Sequence, residues 1–225
     1  MRLLHWPAMI LTGIGPFALI LSCFDGEIVL RCLKLTLGGS ASSRHKNRER
    51  EAYFLHKLGS KFYDEGASVF ESVKTGKRSS FVKKLVERLS LHMPMPDVRE
   101  LSEIERFKEE TRLQQCLNLA NLGVRLTPSI GMLGTILGMV RLLSTLEDPS
   151  QLGSQMSLAL LTTFYGLFFS LVIWTPIQQK LERILEIEME GCDQALHWLD
   201  LLERRKPPTY FSEAADFTPS DARSA

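Results

Sequence analysis

Two apolar stretches decide the fold: Leu126-Thr127-Pro128-Ser129-Ile130-Gly131-Met132-Leu133-Gly134-Thr135-Ile136-Leu137-Gly138-Met139-Val140, and the longer run from Pro149 to Gln179 with Thr162-Thr163-Phe164-Tyr165-Gly166 near its middle. Neither contains Asp, Glu, Lys or Arg. The second exceeds the roughly 18–20 residues needed to cross a hydrocarbon core of about 30 Å. The first covers only roughly 22 Å at about 1.5 Å per residue. It reaches across if Arg125 and Arg141, which bracket it, extend their side chains to the two membrane faces. Gly131, Gly134 and Gly138 fall on one helix face, and small residues on one face let helices approach closely in lipid, where packing drives association. Thr135 lies beside that face.

Working outward, the average composition looks soluble, at 44% hydrophobic, 24% charged and net charge +1. Segregation of the two residue classes overrides the average. Leu3 to Phe24 is a third run free of charge. A signal peptide is the alternative reading, but 22 apolar residues exceed a usual signal core, and Asp25-Gly26-Glu27 offers no small-residue cleavage site. The expectation is an all-α integral membrane protein with three transmembrane helices that extend into the cytoplasm as a helical bundle.

Charge sets the orientation. Arg31, Lys34, Arg44, Lys46, Arg48 and Arg50 follow the first run against the single acid Glu49, whereas Ser144 to Gln155 carries Glu147 and Asp148 and no base. Lys180, Arg183 and Arg204-Arg205-Lys206 follow the third run. The positive-inside rule puts the N-terminus outside, the hairpin outside and the tail in the cytoplasm. The expected division is a first span at 1–24, a cytoplasmic helical domain at 25–124, a helix pair at 125–179, a cytoplasmic helix at 180–206 and a disordered tail at 207–225. Within the cytoplasmic block the first helix should continue through Leu35 and break at Gly38 to Ser43. An amphipathic helix follows over Glu49 to Val73 with Tyr53, Leu55, Leu58 and Phe62 on one face. A short helix over Phe81 to Leu91 stops at Met93-Pro94-Met95-Pro96, and Asp97 caps the next one.

The chemistry is sparse. Cys23, Cys32, Cys116 and Cys192 lack paired or metal-ligand spacing and read as buried thiols. No metal site, catalytic residue or cofactor is expected, and no phosphate loop or paired carboxylate supports an enzyme. Nothing in the sequence marks a nucleic-acid partner. Trp6 and Trp174 read as membrane-interface anchors. The second and third runs hold no internal carboxylate, although a proton or cation carrier needs an ionisable group within the membrane. A conducting role therefore requires a partner that supplies one. Gly, Ser and Thr on these helices serve equally as packing and hydrogen-bonding glue, so a non-conducting scaffold remains an alternative. Pro128 and Pro176 are likewise readable as helix boundaries or kinks.

The stretch Leu126 to Glu182 resembles the paired-helix core of the MotA/TolQ/ExbB proton-channel family. The carrying residues are Thr127 to Gly138, Leu146-Glu147-Asp148-Pro149-Ser150, Met156 to Gly166 with its Ala159-Leu160-Leu161-Thr162-Thr163-Phe164-Tyr165-Gly166 run, and Thr175-Pro176-Ile177. The motifs are most similar to MotA-type stator subunits, notably the sodium-motor branch, while three helices with an outside N-terminus match the TolQ/ExbB plan. The resemblance implies a homo-pentamer in the bacterial inner membrane around two copies of a single-span partner like MotB, TolR or ExbD, which supplies the missing aspartate. Transported protons or sodium ions take the place of any cofactor. It further implies that Thr163 and Thr135, with Thr162 adjacent, line the ion pathway, that Pro128 and Pro176 couple ion passage to movement, and that Gly131, Gly134, Gly138 and Gly166 pack the helices. Glu71 matches an acidic position that contacts a partner, although Tyr63 and Asp64 stand where the family has basic residues.

Overall fold

The computed structural model describes residues 15, 16, 18, 22, 24–38, 41–66, 69–70, 76, 78–144 and 149–204. Among them there is no strand, and six α-helices account for most of the described residues: α1 (Gly26–Leu37), α2 (Ala41–Glu65), α3 (Ser80–Ser90), α4 (Met95–Ser144), α5 (Pro149–Phe169) and α6 (Thr175–Arg204). A single π-helical turn, Ser170–Trp174, joins α5 to α6. The all-α expectation holds. Most of the first apolar run, Cys23, Glu71 and the tail at 207–225 lie outside the described residues.

Local chemistry explains the boundaries and corrects several expectations. α1 does not simply prolong the first run. Asp25 is extended, with ψ 138°, and its carbonyl accepts the Ile28 N–H at 2.9 Å, so a new helix starts at Gly26. The break after α1 is also shorter than expected. Gly38 closes the helix by donating its N–H to the Lys34 carbonyl at 2.7 Å, and helix resumes at Ala41 rather than Glu49. α2 ends at Glu65, well before Val73, and Gly66 follows at φ +74°, the left-handed region a glycine enters without steric penalty. Ser79 caps α3 through its hydroxyl, which accepts the Val82 N–H at 3.3 Å. α4 begins at Met95, three residues before the start that an Asp97 cap implies. The Val98 N–H reaches the Pro94 carbonyl at 3.1 Å, which places Pro96 in the first turn, where a missing N–H costs nothing. Asp97 therefore sits inside the first turn, favoured by the helix dipole, rather than acting as its cap.

The helices fall into two compact units, Met1–Gly39 with Leu113–Arg183 and Ser40–Arg112 with Ile184–Ala225. In the second unit, Leu55, Leu58 and Phe62 of α2 pack with Phe81, Val82, Leu85, Val86 and Leu89 of α3, Met95 and Val98 of α4, and Cys192, Ala195, Leu199 and Leu202 of α6. Tyr53, expected on the same α2 face, is 72% exposed, because the buried stripe follows positions 55, 58 and 62. Arg48 bonds Glu51 at 2.7 Å and also pairs with Glu188, which Arg44 meets at 3.3 Å. Ion pairs this shielded require full pairing, since an orphaned charge there is heavily penalised.

The first unit is built differently. Met132, Leu133, Ile136, Leu137, Met139, Val140 and Leu143 of α4 are exposed, as are Leu160, Phe164, Leu167 and Phe168 of α5. Two helical stretches, Met95–Ser144 and Gly153–Arg204, are long and apolar enough to cross a membrane, and only 22% and 28% of their apolar windows are buried. A core helix of a soluble domain would be mostly covered. α1 joins this unit through the Cys32 thiol, which contacts the Cys116 carbonyl at 3.7 Å, and through Lys180, whose ammonium takes the Thr36 carbonyl near the end of α1. Cys32, Cys116 and Cys192 are all free and buried, as expected.

A candidate ion pathway

The candidate site lies where α4 and α5 cross at their glycines. A Cβ at Gly166 would stand 2.9 Å from the Thr127 carbonyl oxygen and 3.0 Å from the Gly131 Cα, so the two backbones touch there. A Cβ at Gly134 would meet Thr162 at 2.8 Å, and one at Gly138 would meet the Ala159 Cβ at 2.6 Å. All four expected packing glycines thus sit at the contact, three of them on the α4 ridge and Gly166 opposite.

This closeness brings hydroxyls together. Thr135 Oγ1 and Thr163 Oγ1 are 2.9 Å apart, and both side chains are half-buried. Thr135 Oγ1 also lies 2.8 Å from the Met132 carbonyl and 3.3 Å from that of Gly131, while Thr163 Oγ1 lies 3.4 Å from the Gly131 carbonyl. Each hydroxyl has one hydrogen to give and two lone pairs. If Thr135 donates to its own helix and Thr163 donates to Thr135, the Thr163 oxygen keeps its lone pairs for a cation or a hydronium. Thr162 is placed otherwise. Only 5% exposed, it donates to the Ala159 carbonyl at 2.8 Å and fills the space against Gly134. The structure therefore unites Thr135 with Thr163 and leaves Thr162 in the packing seam. Ser157 is exposed and takes no part in the pair.

Neither proline ends the helical chain. Pro128 lies inside α4, and Pro176 is the second residue of α6, directly behind the π turn. Trp174 is not an interface anchor. It is 6% exposed and covers Gly123, where a Cβ would fall 2.2 Å from its ring. Ser170 shares the helical spacing of Thr163 along the run from Pro149 to Gln179, but nothing in the sequence marked Gly123, Thr127 or Trp174 as site residues. The available signal was Pro128 itself, since a proline in a helix frees the carbonyl four residues back and that carbonyl needs a donor.

The model of the MotA/TolQ/ExbB proton channel family matches residues 73–194, more than half of the chain, including the whole of this crossing. The chain belongs to that family. Among its relatives, Motility protein A of Aquifex aeolicus is 39% identical over 134 residues, covering 60% of this chain and 51% of that protein. Motility protein A of Borreliella burgdorferi is 40% identical over 87 residues, covering 39% and 34%. The chain thus spans about a half and a third of the length of these two relatives. In three dimensions it resembles the flagellar MotAB stator complex from Bacillus subtilis with a TM-score of 0.75 at 20% identity, over 98% of this chain and 87% of that one. At that identity the likeness speaks for the fold. Within the family frame, the hydroxyl pair stands on the two helices of the matched segment, and Glu71 lies outside both the match and the described residues.

Proposed function

We propose that this chain is the channel-wall subunit of an ion-driven motor in the bacterial inner membrane, and that Thr135 and Thr163 line its ion path. The observation that carries the reading is the 2.9 Å contact between those two hydroxyls at a backbone crossing that glycines alone permit. Hydroxyls cannot carry charge themselves, and the spans around them contain no acid. A single-span partner resembling MotB, TolR or ExbD supplies an aspartate opposite the pair, and ion transfer through that carboxylate drives movement. Three spans with the N-terminus outside, and a ring of five copies around two partner helices, account for the apolar faces of α4 and α5, which meet lipid or neighbouring copies. The names of the relatives favour a flagellar stator over an energiser of outer-membrane transport.

The test is ion flux into proteoliposomes holding this chain with its one-helix partner, compared with a partner whose membrane aspartate is changed to asparagine. Flux that requires the aspartate supports the channel. An assembled complex with no flux above that of empty vesicles would support the scaffold reading, under which Thr135 and Thr163, bonded to each other across the helix pair, act as glue.

A further inference from the structure

Pro128 has no N–H, so the Val124 carbonyl four residues earlier in α4 loses its usual donor. Ser170 takes its place: its hydroxyl donates to the Val124 carbonyl at 2.9 Å from across the helix pair. Ser170 is 4% exposed and is the first residue of the π turn. Its own carbonyl accepts both the Thr175 N–H, the wide bond that makes the turn π-helical, and the Thr175 hydroxyl at 3.0 Å. One turn on, Trp174 is seated on Gly123, and the Thr127 hydroxyl closes on the Gly123 carbonyl at 2.7 Å. The Val124 carbonyl that Pro128 frees and the π turn before Pro176 are therefore joined through one side chain.

We propose that Ser170 is a positioning residue that fastens the carbonyl freed by Pro128 to the π turn, so that the two proline segments move as one unit during ion passage. The movement part rests on the channel reading above, and the fastening itself does not. π turns are single-residue register shifts that recur at functional sites, and this one is held in register at its first residue by a donor that only the facing proline makes necessary. Restoring an N–H at position 128 would return the Val124 carbonyl to its own helix and leave Ser170 without a task.

The test uses the full chain in nanodiscs, with and without its one-helix partner. Amide hydrogen exchange is followed over 170–175 for the parent, Ser170→Ala, Ser170→Thr, Pro128→Ala and the Ser170→Ala, Pro128→Ala double variant. Loss of one hydrogen bond should speed exchange of the Thr175 amide about fivefold in Ser170→Ala. Ser170→Thr, which keeps the hydroxyl, should stay near the parent, and in the Pro128→Ala background Ser170→Ala should add nothing. Equal acceleration in both backgrounds, or none in either, would overturn the fastening. Ion flux then tests the movement. Ser170→Ala should reduce the maximal rate severalfold while the ion concentration at half-maximal flux stays put. Unaltered flux in a complex whose exchange shows the coupling would reduce Ser170 to a structural tie. Absence of flux in the parent would overturn the channel reading and leave the exchange result standing.

Discussion

Replacing Gly166 by alanine should part the two helices that carry the hydroxyl pair. The added Cβ would lie 2.9 Å from the Thr127 carbonyl oxygen, 3.0 Å from the Gly131 Cα and 3.3 Å from the Gly131 nitrogen. All three are backbone atoms, so no side-chain rotation relieves the contact. Comfortable carbon contacts begin at about 3.5 Å, which requires the helices to separate by roughly 0.5 Å. Thr135 and Thr163 would then move from 2.9 Å toward about 3.4 Å, past the O–H···O range. Overpacking of this kind destabilises by about 1–3 kcal/mol. Gly153 is the matched control, because it lies on the same helix, α5, with nothing within 4 Å of its added Cβ. There alanine should be neutral or stabilising by about 0.5–1 kcal/mol, through helix propensity alone. The assay is reversible unfolding in mixed micelles, read by tryptophan fluorescence. A Gly166→Ala protein as stable as the parent would refute the close-crossing argument, and so would an equal loss in Gly153→Ala.

Other outcomes follow from single contacts. Gly138→Ala should destabilise by about 1–3 kcal/mol because its Cβ meets the Ala159 Cβ at 2.6 Å, and Ala159→Gly in the same chain should restore most of the loss, measured by the same unfolding assay. His92 follows α3 in a left-handed conformation, φ 52°, so His92→Gly should relieve about 1 kcal/mol of backbone strain and raise the midpoint of thermal unfolding, and a lowered midpoint would contradict this. Burial pushes the Cys192 thiol up to about 11. A folded value above the unfolded one makes this contribution to stability complete below about 9 and lost as pH rises toward 11. Alkylation of Cys192 in the folded protein should therefore lag behind that in the unfolded chain through this window, and equal rates would contradict the burial.

Much of this was legible in the sequence because lipid and water sort residues so strongly. The blocks free of charge, the i, i+3, i+7 glycines and the Thr162-Thr163 pair mark α4 and α5 and the face on which they meet. Element ends were harder. Asp97 resembles a cap, yet Pro96 fits the first turn equally well, and the Pro94 carbonyl decided between them. Tyr53 lies about 180° around α2 from Phe62 at roughly 100° per residue, and its exposure puts it on the face away from the buried stripe. Strict helical spacing therefore excludes it where a looser grouping with Leu55 includes it. Thr162 and Thr163 differ by 100° around one helix, and only the partner glycine at 134 shows which one turns into the seam. The π turn shifts register by one residue after Phe169, and no propensity scale encodes that. Its partner carbonyl is set by a proline 42 residues away.

The most direct test of the hydroxyl pair is ion flux through the assembled complex with Thr163→Ala, Thr163→Ser and Thr162→Ala side by side. The account predicts a loss of about tenfold for Thr163→Ala, from removal of a hydrogen-bonding oxygen at the path, near-parent flux for Thr163→Ser, and unaltered ion preference for Thr162→Ala. Thr163→Ala conducting like the parent, with Thr162→Ala the variant that fails, would move the path to the other side of α5 and contradict the assignment.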